Sequence, residues 1–401
     1  MIGYLRKLAN KNRVLERFIY AGYLVYEKVY SLLFLIFRMY PVEKNKIVFS
    51  AMQGTRYGDN PYYISEVIRN MNKYDVVWLL NPDVTDEVDK GVRRVNNNNL
   101  IAVIRELATA SVWVDSNMKY SGFLKRRNQL YVQTWHGSYG LKKIGMDLEK
   151  NLPLIDKRNF IYNAKNEDLM VSNSRLTSEI YRRAFLYSGY IIEKGSPRND
   201  VLLSNSIQCE AKVRKYFGIS NQHIILYAPT FRNDYKTDAM KLDFERLRST
   251  LEKEFGGSWI VLIRLHYKNL KDAAEFIKYT DSILNASNYG IMQDLLAVSD
   301  ILITDYSSCM FDFATTRKPC FIYASDLEKY TCERGNYFFM NELPFQLAKN
   351  NDELEQIIKE FDGDEYNNKI NAFFEKVGLN ETGHASEIVA NYIMEWTENN
   401  L

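Results

Sequence analysis

The sequence of 401 residues has few cysteines and few prolines, and each shortage excludes a class of protein. Its four cysteines lie far apart, without a Cys-x-x-Cys pair or a Cys/His spacing that suits a metal ion. They predict reduced thiols of the cytosol, with neither a disulfide framework nor a zinc site. The 8 prolines and 19 glycines exclude a low-complexity chain, and 46% apolar residues suffice for two α/β domains.

Two common phosphate-binding motifs are also missing. The sequence contains no Gly-x-Gly-x-x-Gly and no Gly-x-x-x-x-Gly-Lys followed by Ser or Thr. It therefore predicts neither a dinucleotide fingerprint nor a P-loop. We expect no metal ligands and no required cofactor.

A long apolar run is absent as well. The longest near the N-terminus, Leu32–Phe37, is too short to span a membrane, and Glu27 and Lys28 interrupt the wider stretch. Residues 1–46 carry a net charge of +6, which leaves about −4 on the rest of a chain of net charge +2 and argues against a nucleic-acid binder. We predict that residues 1–40 form a basic amphipathic helix in the membrane interface; the alternative is a helix packed on the protein's own core.

The rest of the chain alternates strand-like and helix-like segments, the pattern of a parallel α/β sheet. Strands are predicted at 46–50, 76–80, 111–115 and 129–135, and again at 224–228, 259–265, 301–304 and 320–323. Helices such as Pro61–Asn70 and Leu100–Ala108 lie between them, and the turn-rich segment Gly195–Asp200 separates the two series. The prediction is two Rossmann-like domains facing a cleft, at 41–200 and 201–401, after the membrane-associating segment 1–40.

Polar residues follow the predicted strands at their carboxyl ends, where ligands bind in such sheets. His136 suits a general base, although a lone histidine is more often structural. A set in the second series predicts a diphosphate pocket: Thr230, Arg232, Arg264, His266, Ser307 and Ser308. The serine pair opens a predicted helix and fits either an anion site or plain helix caps.

Several segments between about residues 130 and 335 resemble, in order, the CDP-glycerol glycerophosphotransferase family of teichoic acid primases and polymerases. The matching segments are Trp135–Ser138 with Leu141–Gly145, Gly195–Asp200, Tyr227–Arg232, Arg264–His266, Ser299–Ser308 and Glu333–Gly335. Together they are specific, although each alone is not.

The resemblance implies a GT-B fold, with the acceptor on the N-terminal domain and the CDP-alcohol on the C-terminal domain. It implies transfer of an alditol phosphate, glycerol phosphate in the first place, from CDP-glycerol or CDP-ribitol with release of CMP. The acceptor would be a hydroxyl of a lipid-linked saccharide or polyol phosphate in teichoic acid or surface-polysaccharide synthesis. The protein would lie peripherally on the cytoplasmic face of the cell membrane.

The resemblance also assigns roles to residues. His136 would deprotonate the acceptor, and His266 would act with Arg232, Thr230 and the serine pair on the diphosphate and its developing charge. Asp305 would orient this loop or contact the alcohol. The remaining expected substrate contacts are Lys142, Arg264, Glu333 and Arg334.

Two segments depart from the family pattern. The segment from His136 to Lys142 is one residue longer than the usual His-Gly-Thr-Pro-Leu-Lys, and Tyr267 replaces the usual proline after His266. The first change favours a capsule or other surface glycan as acceptor. Two alternatives stay open, namely a GT-B glycosyltransferase that uses a nucleotide sugar in capsule synthesis and a non-catalytic membrane-bound assembly factor. The sequence does not predict an oligomeric state.

Overall fold

The computed structural model describes residues 13–86, 88–137, 140–204, 207–230, 242–265, 277–327 and 335–400. The chain divides into two compact units. The first unit comprises residues up to 138, 144–200 and those from 380 onward, and the second comprises 139–143 and 201–379. The last helix, Ala385–Asn400, therefore lies with the first unit, although the sequence interpretation groups it with 201–401.

The first unit is built on a seven-stranded sheet in which all neighbouring strands are parallel. Its strands are β1 (Glu43–Ser50), β2 (Asp75–Leu80), β3 (Val92–Asn96), β4 (Ala110–Asp115), β5 (Leu130–Gln133), β6 (Leu169–Ser172) and β7 (Tyr190–Glu193). They lie in the order β3-β2-β1-β4-β5-β6-β7, so the order reverses between β1 and β4. Such a reversal is the usual place for a ligand in an open α/β sheet.

Helices cover both faces of this sheet, and so its strands carry apolar residues on both sides. Phe49 and Trp78 belong to one buried cluster, and their neighbours Val48 and Val77 belong to another. The helices of the unit are Arg13–Phe37, Asp59–Asn70, Leu100–Thr109, Leu154–Asn166, Arg175–Ala184 and Ala385–Asn400. The short helix Asp200–Leu203 lies at the boundary of the unit.

The second unit repeats this design with six parallel strands. They are β8 (His223–Ala228), β9 (Trp259–Ile263), β10 (Ile283–Asn285), β11 (Ile301–Thr304), β12 (Cys320–Tyr323) and β13 (Gln346–Ala348). The order β10-β9-β8-β11-β12-β13 reverses between β8 and β11. Its helices are Ile207–Phe217, Phe244–Phe255, Met292–Val298, Cys309–Ala314, Asn351–Lys359 and Gly363–Val377.

The N-terminal helix Arg13–Phe37 packs one face on the first unit. Tyr23, Tyr30 and Phe34 are buried there, and Glu27 pairs with Arg158 through bonds of 2.5 and 2.6 Å. The alternative of a helix packed on the protein's own core is therefore confirmed for this face. The opposite face exposes apolar side chains spaced seven, four, three and four residues apart, namely Phe18, Val25, Val29, Leu32 and Ile36. By length and composition alone, this helix could also cross a membrane.

All eight strands expected from the sequence are present, and the two α/β sheets are confirmed as parallel. The predicted strand 129–135 ends earlier, at Gln133, because Trp135 has a left-handed φ of 54° that breaks the extended backbone. Five further strands are short or lie at or near the sheet edges: β3, β6, β7, β10 and β13.

Candidate active site

His136 lies close to the point where the first sheet reverses its strand order. It follows β5 by three residues, and its Nδ1 is 2.8 Å from the carbonyl oxygen of Ser116, the residue after β4. The Ser116 hydroxyl in turn accepts a hydrogen bond of 3.1 Å from the backbone N–H of Met52, just beyond β1. The loops after β1, β4 and β5 are thus joined at this histidine.

The contact with Ser116 settles the state of the imidazole ring. Because a carbonyl oxygen can only accept, Nδ1 carries the hydrogen and Nε2 keeps its lone pair in the neutral ring. Burial lowers the pKa of His136, with Asp59 and the Ser116 carbonyl acting in the opposite direction and Arg198 adding to the fall. His136 is therefore neutral near pH 7 and able to accept a proton at Nε2.

The backbone around this histidine is strained. Among the described residues, seven other than glycine have a positive φ, and three of these simply follow the ends of helices: Asn72, Leu186 and Arg317. The other four lie beyond β1 and β5, at Met52, Gln53, Asp59 and Trp135. Strained residues of this kind persist where the surroundings hold them, and they cluster at functional sites.

Three side chains that the sequence reasoning missed hold this strained region together. Arg198 Nη1 donates to the carbonyl oxygen of His136 at 2.8 Å and to Asp59 Oδ1 at 3.0 Å. The Asn60 amide donates to the carbonyl oxygen of Trp135 at 3.1 Å and accepts from the Arg198 backbone N–H at 3.0 Å. Arg198 belongs to the family-like segment Gly195–Asp200, whose pattern predicts a turn but assigns no role to Arg198, and no sequence signal marks Asp59 or Asn60.

Thr230 and Asp305 meet at the corresponding reversal of the second sheet. Thr230 follows β8 and Asp305 follows β11 directly. The Asp305 carboxylate accepts from the Thr230 backbone N–H at 2.8 and 3.0 Å and from its hydroxyl at 3.1 Å. It also accepts from the Tyr306 backbone N–H at 2.6 Å. Of the two roles expected for Asp305, its described bonds are those of a residue that orients the loop.

Ser307 and Ser308 lie two and three residues beyond Asp305, before the six-residue helix Cys309–Ala314. Ser308 occupies the cap position, but its side chain makes no capping hydrogen bond. The Ser307 hydroxyl accepts a weak bond of 3.4 Å from the Cys309 N–H. Plain helix capping therefore accounts for little of this pair, and the half-buried hydroxyls lie on the same edge as Thr230.

Arg264 lies at the end of β9 but is buried. Its guanidinium donates to the carbonyl oxygens of Tyr289 and Gly290. These bonds hold the segment 289–290, which leads to the helix Met292–Val298. A direct phosphate contact was expected for Arg264, whereas its described partners are backbone carbonyls.

The segment that carries Lys142 belongs to the second unit and pairs there with residues 335–337. The Tyr337 N–H donates to the Leu141 carbonyl at 2.7 Å, and the Lys143 N–H donates to the Gly335 carbonyl at 3.0 Å, with Lys142 opposite Asn336. A Cβ on Gly335 would lie 3.2 Å from the Lys143 side chain. Two family-like segments far apart in the sequence are therefore neighbours in the fold.

Four expected site residues lie outside the described residues: Arg232, His266, Glu333 and Arg334. Within the described ranges, no group of three or more His, Cys, Asp or Glu residues could hold a metal ion. In the triplet Asp362-Gly363-Asp364, Asp362 caps a helix rather than holding a metal ion, because its carboxylate accepts from the N–H groups of Asp364 and Glu365.

Two doubly wound parallel sheets, each with polar residues at its reversal point, define a two-unit α/β protein whose candidate ligand sites lie at strand ends. The model of the family described as CDP-Glycerol:Poly(glycerophosphate) glycerophosphotransferase matches residues 32–395. The chain belongs to this family, and the resemblance stated from its motifs is confirmed.

Its relatives include two polymerases of the same description. The chain is 33% identical over 383 residues to the teichoic acid poly(glycerol phosphate) polymerase of Bacillus subtilis, in a match that covers 92% of this chain and 51% of the relative. It therefore spans about half the length of that protein. The counterpart of Bacillus spizizenii is 32% identical over 390 residues, with 92% and 96% covered.

A solved structure is also similar. It is the wall teichoic acid polymerase TagF, in a histidine variant soaked with CDPG. Its TM-score is 0.80 at 30% sequence identity, with 96% of this chain and 97% of that chain covered. The fold of the described residues thus agrees with that of a teichoic acid polymerase.

Proposed function

We propose that this protein transfers glycerol phosphate from CDP-glycerol to a hydroxyl group of a lipid-linked saccharide or polyol-phosphate acceptor, and releases CMP. The observation that carries the proposal is the family match over residues 32–395. The names of the relatives and the CDPG soak of a similar polymerase support the donor. The GT-B assignment of the two parallel-sheet units is part of the same proposal.

The acceptor chemistry is assigned to the first unit. The acceptor hydroxyl oxygen attacks the phosphorus next to glycerol, the bond from phosphorus to the CMP oxygen breaks, and CMP leaves with the electron pair. The hydroxyl proton passes to Nε2 of His136, the nitrogen left free by the Ser116 contact. The low pKa of His136 keeps this nitrogen unprotonated at neutral pH.

Donor binding is assigned to the second unit. Thr230, Ser307 and Ser308 bring hydroxyl groups to one sheet edge, where they would bind phosphate oxygens, and Asp305 orients the Thr230 loop. Arg264 is assigned to holding segment 289–290. Arg232 and His266 complete the diphosphate site in this proposal, with Lys142, Glu333 and Arg334 as further substrate contacts.

The test is nucleotide release by the purified protein. CDP-glycerol, CDP-ribitol and a panel of nucleotide sugars are each incubated with the enzyme and a membrane extract as the source of acceptor. CMP is expected from CDP-glycerol and is expected to fall at least about 100-fold in His136→Ala, the range of general-base catalysis. Release of a nucleoside diphosphate from a sugar donor would refute the proposal in favour of a glycosyltransferase.

A second histidine provides the matched control. His384 is exposed, lies before the helix Ala385–Asn400 and pairs only loosely with Glu387 at 3.4 Å. The variant His384→Ala is expected to release CMP at the wild-type rate. An equal loss in both variants would show that His136 has no special role.

We also propose that the protein lies on the cytoplasmic face of the cell membrane through its N-terminal helix. Phe18, Val25, Val29, Leu32 and Ile36 give this helix an exposed apolar face. The buried face and the Glu27–Arg158 ion pair favour a helix that lies flat on the membrane, because a helix crossing the bilayer would lose these contacts.

Point substitutions test this assignment better than truncation, because deletion of residues 1–40 would remove the fully buried Phe34 from the core. The double variant Val29→Glu, Leu32→Glu is expected to lower sedimentation with anionic phosphatidylglycerol vesicles at least about tenfold, because it replaces exposed apolar side chains that the membrane would bury with charged ones. Ile207→Glu changes an exposed apolar residue of the second unit and is the control. Unaltered vesicle binding by the double variant would refute the membrane assignment.

A further inference from the structure

The side chains of Asp59 and Arg198 form a buried ion pair against the backbone of His136. They are 9% and 8% exposed, respectively, and their ion-pair distance is 3.0 Å. The same Arg198 nitrogen that binds Asp59 also donates to the carbonyl oxygen of His136 at 2.8 Å. The carboxylate is thereby held next to the histidine although the two residues are far apart in the sequence.

The Asp59 side chain is placed at a cost. One of its carboxylate oxygens, Oδ2, is buried without a hydrogen-bond partner in the described part of the chain. A buried carboxylate oxygen without a partner destabilises the fold. A residue needed only to pair with Arg198 would not require an unpartnered buried oxygen, so Oδ2 points to a function for this carboxylate.

From this geometry we infer that Asp59 is a positioning residue for His136, whose negative charge stabilises the imidazolium formed when Nε2 takes the acceptor proton, with Arg198 holding it in place. This inference rests on the proposed role of His136 as general base. It differs from the usual triad arrangement, because the Nδ1–H bond goes to a backbone carbonyl rather than to a carboxylate.

The charges that act on His136 come from two elements. Asp59 opens the helix Asp59–Asn70, and Arg198 lies in the segment Pro197–Asn199. They oppose each other, since Asp59 raises and Arg198 lowers the pKa of His136. Tyr181 lies near the same pair, but it stays neutral because burial raises its pKa. Neutralising Asp59 should therefore lower the pKa of His136, and neutralising Arg198 should raise it.

The experiment measures the titration of His136 directly by NMR. The chain has only four histidines, so ¹³C-labelled imidazole signals can be assigned with His136→Asn. Asp59→Asn is expected to lower the pKa of His136 by about one pH unit, and Arg198→Gln is expected to raise it, as removal of a nearby charge requires. Asparagine tolerates the left-handed backbone of Asp59, so the local fold is preserved.

Kinetics supply a second readout. In Asp59→Asn, the acid limb of kcat/KM for CMP release should move to lower pH, and kcat should fall about tenfold while KM for CDP-glycerol changes less than twofold, because only a proton transfer is impaired. Asp75→Asn removes an exposed carboxylate paired with Arg93 in the same unit and should leave both readouts unaltered.

The outcomes separate the two proposals. Opposite shifts in the two variants support the inference, whereas a merely structural role would move both variants in the same direction or neither. If the pKa of His136 is unchanged in Asp59→Asn, the inference is overturned, but the proposed function stays intact. Wild-type CMP release by His136→Ala overturns the proposed base and the inference with it.

Discussion

A buried carboxyl group near the site gives the sharpest stability prediction. Glu167 follows the helix Leu154–Asn166, and its carboxyl oxygen accepts a bond of 3.1 Å from the Gln133 side chain. The other end of Gln133 accepts from the backbone N–H of the strained Trp135 at 2.9 Å. Burial raises the pKa of Glu167 from 4.5 to about 8, so the folded protein keeps this group protonated at neutral pH.

The unfolded chain ionises Glu167 near pH 4.5, whereas the folded protein ionises it near pH 8. Between these values the folded state binds more protons, so the free energy of unfolding falls as the pH rises. The difference of about 3.5 pH units corresponds to at most about 5 kcal/mol, of which about 3 to 4 kcal/mol develops between pH 5 and pH 8.

The substitution Glu167→Gln removes this titration and retains an oxygen acceptor for Gln133. Because the wild type loses stability between pH 5 and pH 8 and the variant does not, we expect the difference in free energy of unfolding, variant minus wild type, to grow by up to about 3 to 4 kcal/mol over this range. Urea unfolding at the two pH values, followed by tryptophan fluorescence, measures the change. Four of the five tryptophans lie in the first unit, so the signal reports mainly on it.

The exposed Glu179→Gln is the control, because its side chain is 59% exposed and should show no such difference between the two pH values. A stability difference between Glu167→Gln and wild type that stays constant from pH 5 to pH 8 would refute the reasoning. So would a difference that shrinks with rising pH, since that would mean an ionised Glu167 stabilises the fold.

Two further predictions concern other parts of the chain. Phe34→Ala should lower the free energy of unfolding, measured by chemical denaturation, by about 3 to 5 kcal/mol, because it leaves a cavity at a fully buried position. Leu32→Ala, on the exposed face of the same helix, is the control and should change this free energy by less than about 0.5 kcal/mol. Asp305→Asn should lower the free energy of unfolding by about 1 to 3 kcal/mol and CMP release at least about tenfold. The reason is that one amide oxygen cannot replace the two carboxylate oxygens that accept from Thr230 and Tyr306. Wild-type activity would refute the role of Asp305 in orienting that loop.

The central strands could be predicted from the sequence because they are buried on both faces. Parallel strands of this kind are short apolar runs, such as Val76–Leu80 and Ile301–Thr304, and turn residues bound them. Strand β3, with the sequence Val-Arg-Arg-Val-Asn, is mostly exposed at a sheet edge and carries no such signal. Only the partner strand β2 makes it a strand.

The site was predictable where a reactive or polar side chain closely follows a strand in the sequence, as at His136, Thr230 and Asp305. It was not predictable where the fold brings distant segments together. Asp59 is an ordinary residue before a helix in the sequence, and only the contact with Arg198 brings it to His136. Likewise, the pairing of 141–143 with 335–337 depends on tertiary structure that no local pattern encodes.

The segment Gly195–Asp200 shows why a family-like motif can carry more than its local conformation. Arg198 holds the histidine loop, while the Asn199 amide donates to Glu381 at 2.8 Å and Asp200 accepts from the N–H groups of Ala385 and Ser386. Successive residues of this segment thus contact the candidate active site and the start of the C-terminal helix. Because that helix contributes Val389, Ala390 and Ile393 to the core of the first unit, the motif joins the stability of the sheet to the geometry around His136.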